Sequence, residues 1–259
     1  MIKLDAFQLK CFAIVAMVLN HMTVTWWNLL PMWLIFPMYA IGGATFPIMA
    51  FFVVEGYRHT SSLKKYILRL FIFALIATPF HFMALVMPLS GGILLAYPYL
   101  NILYSIIASL LVLVLYDKIK IKLLFWLLIF PIIAVLSFFL LEWYFVSITT
   151  VLLFHVINNE KARRIVPPLV AGVLWLGLGF VSGSMPLEVF GDMDILITNP
   201  DLYRVMPTFA IGCVIAGLLL MGFTGERGRR MKWLFYAFYP SHLALLWAGA
   251  MLFRALGWM

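Results

Sequence analysis

Charge is scarce in this sequence. Only 11% of its 259 residues are Asp, Glu, Lys or Arg, against roughly a quarter in water-soluble domains. With 65% hydrophobic residues and a mean hydropathy of +1.07, a soluble globule could not hide the apolar surface. Cysteine is scarce too: Cys11 and Cys213 are the only two, which excludes a disulfide framework and leaves both as small packing residues. There is no internal repeat, no low-complexity tract and no linker long enough to divide residues 1–259, so the chain reads as one integral membrane domain. No H-E-x-x-H, no cysteine pair and no carboxylate constellation points to a metal. Without a Walker A or G-x-G-x-x-G motif, ATP hydrolysis and dinucleotide binding have no support. The apolar segment after Met1-Ile2-Lys3-Leu4-Asp5 is followed by no small-residue cleavage site, so it is expected to remain as a first span.

What is present is a succession of apolar runs. Punctuated by charge and by Pro/Gly clusters, they predict an all-α polytopic bundle of about nine transmembrane helices, near 7–27, 34–57, 64–87, 98–116, 122–141, 143–158, 165–183, 205–223 and 232–254. The distribution of Lys and Arg sets the expected orientation. With the N-terminus in the cytoplasm and the C-terminus outside, all the Lys and Arg residues except Arg204 and Arg254 fall on or near the inner side. Glu188, Asp192, Asp194 and Asp201 gather in one long exterior loop. The net charge of +8 is therefore a basic cytoplasmic face, favoured by anionic lipid head groups, and not a nucleic-acid signature.

A strongly polar side chain in hydrocarbon costs a few kcal/mol unless it meets a partner or water, and so marks a candidate site. His21, Glu55, Arg69, Asn101, Tyr239 and His242 qualify. His21 lies about 20 Å from the inner edge of the first span, roughly two thirds of the way across, and His242 near the midplane. Glu55 and Arg69, each within about two turns of the inner surface, are placed where they can meet. Two readings stand: a structural ion pair orienting two helices, or an Arg69 that joins Arg58, Lys64 and Lys65 in a cluster for phosphate groups of a cytosolic ligand. Pro47, in Gly42-Gly43-Ala44-Thr45-Phe46-Pro47, removes the helical bond to the Gly43 carbonyl, and Pro240 does the same for Tyr236. Such breaks suit a polar cavity or close helix approach. His59, His81 and His155 read as structural or solvated.

Several stretches resemble the TraX family. Residues 9–21, LKCFAIVAMVLNH, are similar to its opening helix, which ends in an Asp-His pair. Residues 44–60, ATFPIMAFFVVEGYRHT, look like its most recognisable block, continued by KKYILRLFIFALIATPF at 64–80. Leu100-Asn101-Ile102-Leu103-Tyr104-Ser105 and Phe238-Tyr239-Pro240-Ser241-His242-Leu243 resemble two more. Position 20 departs from the pattern. Asn20 stands where the family usually carries Asp, and an amide can hold an imidazole tautomer but cannot stabilise an imidazolium as a carboxylate would.

The resemblance implies acetyl transfer: a multi-pass protein of the bacterial cytoplasmic membrane that takes an acetyl group from cytosolic acetyl-CoA. The acceptor it implies is an amine or hydroxyl at or across the membrane, such as a pilin N-terminus or a surface molecule. In that chemistry His21 is the expected general base. His242 is a second proton carrier or an oxyanion donor. Asn20 and Asn101 orient groups, Glu55 pairs with Arg69, and Arg58, Lys64, Lys65 and Arg69 hold the donor's phosphates. A transporter or flippase would use similar polar residues and broken helices, and a noncatalytic scaffold for a surface structure is a third reading.

Overall fold

The structure is a computed structural model that describes residues 2–87, 100–184, 205–229 and 232–258. Among these the chain is helical, with two isolated β-bridges, Leu4 to Phe223 and Leu100 to Leu141. Helix α1 (Ala6–Thr25) starts at Asp5, whose carboxylate accepts the Gln8 amide while the Gln8 side chain accepts that of Asp5. This reciprocal cap satisfies two donors that a helix start leaves open. Then follow α2 (Met32–Gly42), α3 (Thr45–His59) and α4 (Leu63–His81), the last capped by Ser62 and prolonged by a π-helical turn, Phe82–Val86. Asn101 caps α5 (Ile102–Lys118). The short α6 (Lys122–Leu124) runs through π-helical Phe125–Ile129 into α7 (Phe130–Leu140). The bundle is completed by α8 (Tyr144–Val156), α9 (Glu160–Ser184), α10 (Phe209–Met221) and α11 (Lys232–Ala255).

Helix occupies each stretch expected to span, but the second is divided. The chain breaks at Gly43 and Ala44, and Pro47 falls in the first turn of α3, where a missing N–H costs nothing because such donors have no partner within the helix. The Gly43 carbonyl is taken by the Cys213 thiol at 3.5 Å. At this break the backbones come very close. A Cβ on Gly43 would lie 2.2 Å from the Phe209 carbonyl oxygen, and one on Gly212 2.2 Å from that of Ala40. Gly42 accommodates Asn20 of α1 in the same way. Small residues thus bring α1, α2 and α10 together, as expected where dispersion contacts, not water exclusion, hold helices.

Apolar side chains point outward in long rows: Leu68, Phe71, Ile72, Leu75 and Ile76 on α4, and Leu127, Leu128, Ile132, Val135 and Leu136 along the stretch that ends in α7. A water-soluble monomer does not expose patches of this extent. Ala6–Thr25, Met32–His59 and Leu63–Val86 are each long and apolar enough to cross a membrane. The acidic stretch expected outside, Glu188 to Asp201, and Arg204 beside it lie outside the described residues.

The glycine contact yields a controlled test. Gly212→Ala drives a methyl group into backbone and should destabilise the bundle by about 1–3 kcal/mol, seen as a lowered melting temperature in detergent. Gly177→Ala, which meets nothing within 4 Å, should leave the transition in place.

Candidate functional site

Two polar groupings occupy opposite parts of the bundle. The first joins the helix ends that carry most of the cations. Glu55 of α3 forms an ion pair with the buried Arg163 of α9, which also meets Glu160 at 3.2 Å and lies over the Phe51 ring at 5.0 Å. The expected Glu55–Arg69 pair is therefore not made. The reason is packing: α4 runs chiefly along α11 and α5, while α3 lies against α8, α1 and α10. Arg69 keeps a buried Nε without a hydrogen-bond partner. Arg58 donates to the His155 carbonyl at 2.9 Å, and Lys64 and Lys65 are exposed.

Beside it, Asp117 accepts the Tyr57 hydroxyl at 2.7 Å and pairs with His155 Nε2 at 2.8 Å, tying α3, α5 and α8 at one end. Partial burial would raise the Asp117 carboxyl's pKa, but the hydrogen bonds from Tyr57 and His155 and the charges of His155 and Lys122 outweigh it and hold the group below the usual range. One cation here was absent from the sequence-based set. Lys10 of α1 lies over Phe52 at 4.6 Å and Phe235 at 5.5 Å, next to Arg227, with no carboxylate paired to it among the described residues.

The second grouping is buried among apolar helices. His21 Nδ1 and His242 Nε2 are 2.8 Å apart, and His242 Nδ1 is 3.0 Å from the Phe238 carbonyl oxygen. This chain of contacts assigns the protons of the neutral pair. A carbonyl only accepts, so His242 carries its hydrogen on Nδ1 and presents a lone pair at Nε2. His21 must then donate from Nδ1, which leaves its own Nε2 as a lone pair with no proton. One backbone oxygen thus fixes a basic nitrogen two imidazoles away. Phe238 stacks on the His242 ring at 5.0 Å, and Tyr239 flanks both imidazoles, at 5.5 Å from His242 and 6.5 Å from His21.

Register explains the placement. Lys10 and His21 are three turns apart on one face of α1, and Phe235 and His242 two turns apart on one face of α11. One seam between the two helices therefore carries the Lys10–Phe235 contact at one end and the imidazole pair deeper, about 16 Å further along α1 and about 10 Å further along α11.

His81, expected to be structural or solvated, is buried at the end of α4 and faces Glu142 at 3.3 Å. The Glu142 carboxylate also lies toward Tyr239, whose ring is 5.5 Å from His242, so the His81–Glu142 pair and the His21–His242 pair flank the same tyrosine. The Tyr239 hydroxyl neighbours Glu142 without a well-aligned hydrogen bond. Glu142 escaped the sequence analysis because it sits between two predicted spans and reads as an ordinary connecting residue. The two asparagines do other things. Asn20 packs on Gly42 and its amide nitrogen makes no hydrogen bond among the described residues. Asn101 accepts the Leu103 amide and donates to the Ala74 carbonyl at 3.0 Å and the Thr78 hydroxyl at 3.2 Å, pinning α5 to α4. Among the described residues no three His, Cys, Asp or Glu side chains are grouped to hold a metal ion.

An apolar, all-helical bundle with an enclosed, hydrogen-bonded imidazole pair is the class that fold and site define. The chain belongs to the TraX family, whose model, described as TraX protein, matches residues 6–248. The probable fimbrial assembly protein FimC, serogroup H1, of Dichelobacter nodosus is 30% identical over 267 residues, covering 96% of this chain and 97% of the relative. No solved structure matches the chain significantly.

The ion-pair assignment is open to a double-mutant cycle in detergent-solubilised protein. Glu55→Gln and Arg163→Gln should couple, the double variant losing less stability than the two single losses together. Glu55→Gln and Arg69→Gln should be additive; the reverse pattern would restore the pair expected from sequence.

Proposed function

We propose that this protein is a membrane-embedded acetyltransferase of the bacterial cytoplasmic membrane, with about nine spans, a cytoplasmic N-terminus and an extracytoplasmic C-terminus. It moves an acetyl group from cytosolic acetyl-CoA to an amine or hydroxyl acceptor, and serves the assembly of a pilus or related surface structure. The observation that carries this reading is the contact of His21 Nδ1 with His242 Nε2 inside an apolar bundle, with His242 Nδ1 at the Phe238 carbonyl, an arrangement that leaves His21 Nε2 as the basic nitrogen. The family resemblance and the fimbrial relative favour the surface-structure context.

In this reading the acceptor's N–H or O–H loses its proton to His21 Nε2 as it attacks the thioester carbonyl. The new bond forms at the carbonyl carbon, the C–S bond breaks, and the proton on His21 passes to the departing thiolate. His242 holds the tautomer and spreads the positive charge through its hydrogen bond; with one nitrogen donating to Phe238 and the other accepting from His21, it has no donor left for an oxyanion. The α1–α11 seam supplies the donor's path. An extended peptide of about three to five residues spans its length of about 10 to 16 Å, within reach of the phosphopantetheine arm, so a donor with phosphates at Lys10 can present its thioester at His21. Arg69, with its unpaired Nε, serves the same anionic end. The basic helix ends then face the cytoplasm, consistent with Leu4, Phe223, Arg164, Arg58 and His155 meeting at one end of the bundle.

Purified His21→Ala should lose acetyl-CoA turnover by about a hundredfold or more while still binding coenzyme A; near-normal turnover with intact binding would remove His21 as the base. Lys10→Ala or Arg69→Ala should weaken coenzyme A binding by about tenfold or more, the worth of a charge-assisted contact, measured by calorimetry. A single cysteine at position 62 should react with an impermeant thiol reagent only after cells are permeabilised.

A further inference from the structure

Glu142 places a carboxylate in an enclosure where position 20 offers only an amide. It sits in the turn between α7 and α8, its backbone N–H bonded to the Leu100 carbonyl at 3.3 Å. The Leu100–Leu141 bridge fixes the same turn. Its side chain is about one fifth exposed, whereas the His81 imidazole beside it is almost wholly buried. Among the described residues no Lys or Arg pairs with Glu142; its charged or chargeable neighbours are His81 of α4 and Tyr239 and His242 of α11, with His21 of α1 bonded to His242. The other carboxylates paired in the bundle, Glu55, Asp117 and Glu160, belong to the opposite end. A lone carboxylate in a poorly solvated site is costly unless a positive charge is at hand. His81 and His242 are the groups within reach that can acquire one, and His242 is hydrogen-bonded to His21.

We propose that Glu142 is the counter-charge of the imidazolium that forms on the His21–His242 pair, and that His81 is the positioning residue that aims its carboxylate at the pair. The inference rests on the acyl-transfer reading above and adds to it the residue that replaces a carboxylate at position 20. Glu142 exchanges no proton: the proton leaves the acceptor for His21 Nε2 and ends on the thiolate sulfur, as described. During that interval the pair bears one positive charge, and an acidic group held close in a medium of low polarisability lowers its energy more than water could. Asn20 cannot supply this from its place against Gly42. A charge present only between the two proton transfers is stabilised at the barrier and not in the resting protein, so the interaction speeds turnover without tightening donor binding.

The experiment compares wild-type protein, Glu142→Gln, Glu142→Asp and His81→Asn in detergent or nanodiscs, measuring acetyl-CoA turnover and coenzyme A affinity. Gln keeps the shape and removes the charge. Glu142→Gln should lower kcat tenfold or more with coenzyme A affinity unchanged, Glu142→Asp should regain most of the loss, and His81→Asn should fall between them. Wild-type kcat in Glu142→Gln, or a loss carried by donor affinity alone, would overturn the proposal. Should Glu142→Gln not yield a monodisperse species, His81→Asn decides, since an unchanged kcat there would remove the positioning role and with it the aimed counter-charge. Absence of turnover in the wild-type protein would instead end the acyl-transfer reading itself, and this proposal with it.

Discussion

Helices in an apolar surround gain little from hiding one greasy face against another, so they must be held by close backbone approach and by polar contacts that nothing outside can replace. In this protein both demands are met first where the chain breaks between α2 and α3. Glycines at 42, 43 and 212 let the backbone of α10 and the Asn20 side chain of α1 lie against the break at distances no Cβ would allow. The carbonyl freed there finds the Cys213 thiol. With α1 fixed on that side, its opposite flank is free to pack on α11, and the seam that carries Lys10 and His21 becomes possible.

The polar interior is divided by function of position. At the basic end, ion pairs and hydrogen bonds link helices that are distant in sequence: Glu55 with Arg163, and Asp117 with Tyr57 and His155. These contacts tie the helices together but leave Arg163 Nε and His155 Nδ1 without hydrogen-bond partners. Deeper in, His21, His242, His81, Glu142 and Tyr239 are only partly satisfied. His21 retains an unused lone pair, and the Tyr239 hydroxyl has no well-formed bond. Incomplete satisfaction in a buried cluster is unfavourable for stability and is where chemistry is expected to reside.

The departure at position 20 acquires a physical meaning in this setting. An imidazole base needs two things from its neighbours: a fixed tautomer and a counter-charge. The Phe238 carbonyl acting through His242 provides the first. Glu142, from a turn far away in the chain, is the proposed source of the second. Neither depends on the residue that precedes His21.

Sequence by itself determined the helical class, the approximate place of the helices and that His21 and His242 lie within apolar segments, because hydrophobic runs and isolated polar groups within them are local features that no packing alters. It also pointed to the small residues before Pro47. Tertiary structure decided the partners. Glu55 and Arg69 are close along the chain through a short loop, and proximity in sequence suggested a pair; α4 instead lies along α11 and α5, so Glu55 meets Arg163 from a helix about a hundred residues later. Glu142 looked like a connecting residue until the turn that carries it was folded against His81. Which imidazole nitrogen is left as a base was likewise invisible, since that depends on a hydrogen bond between the first helix and the last. Contacts of that kind follow from how helices are arranged, and the arrangement is a property of the whole bundle, not of any segment of its sequence.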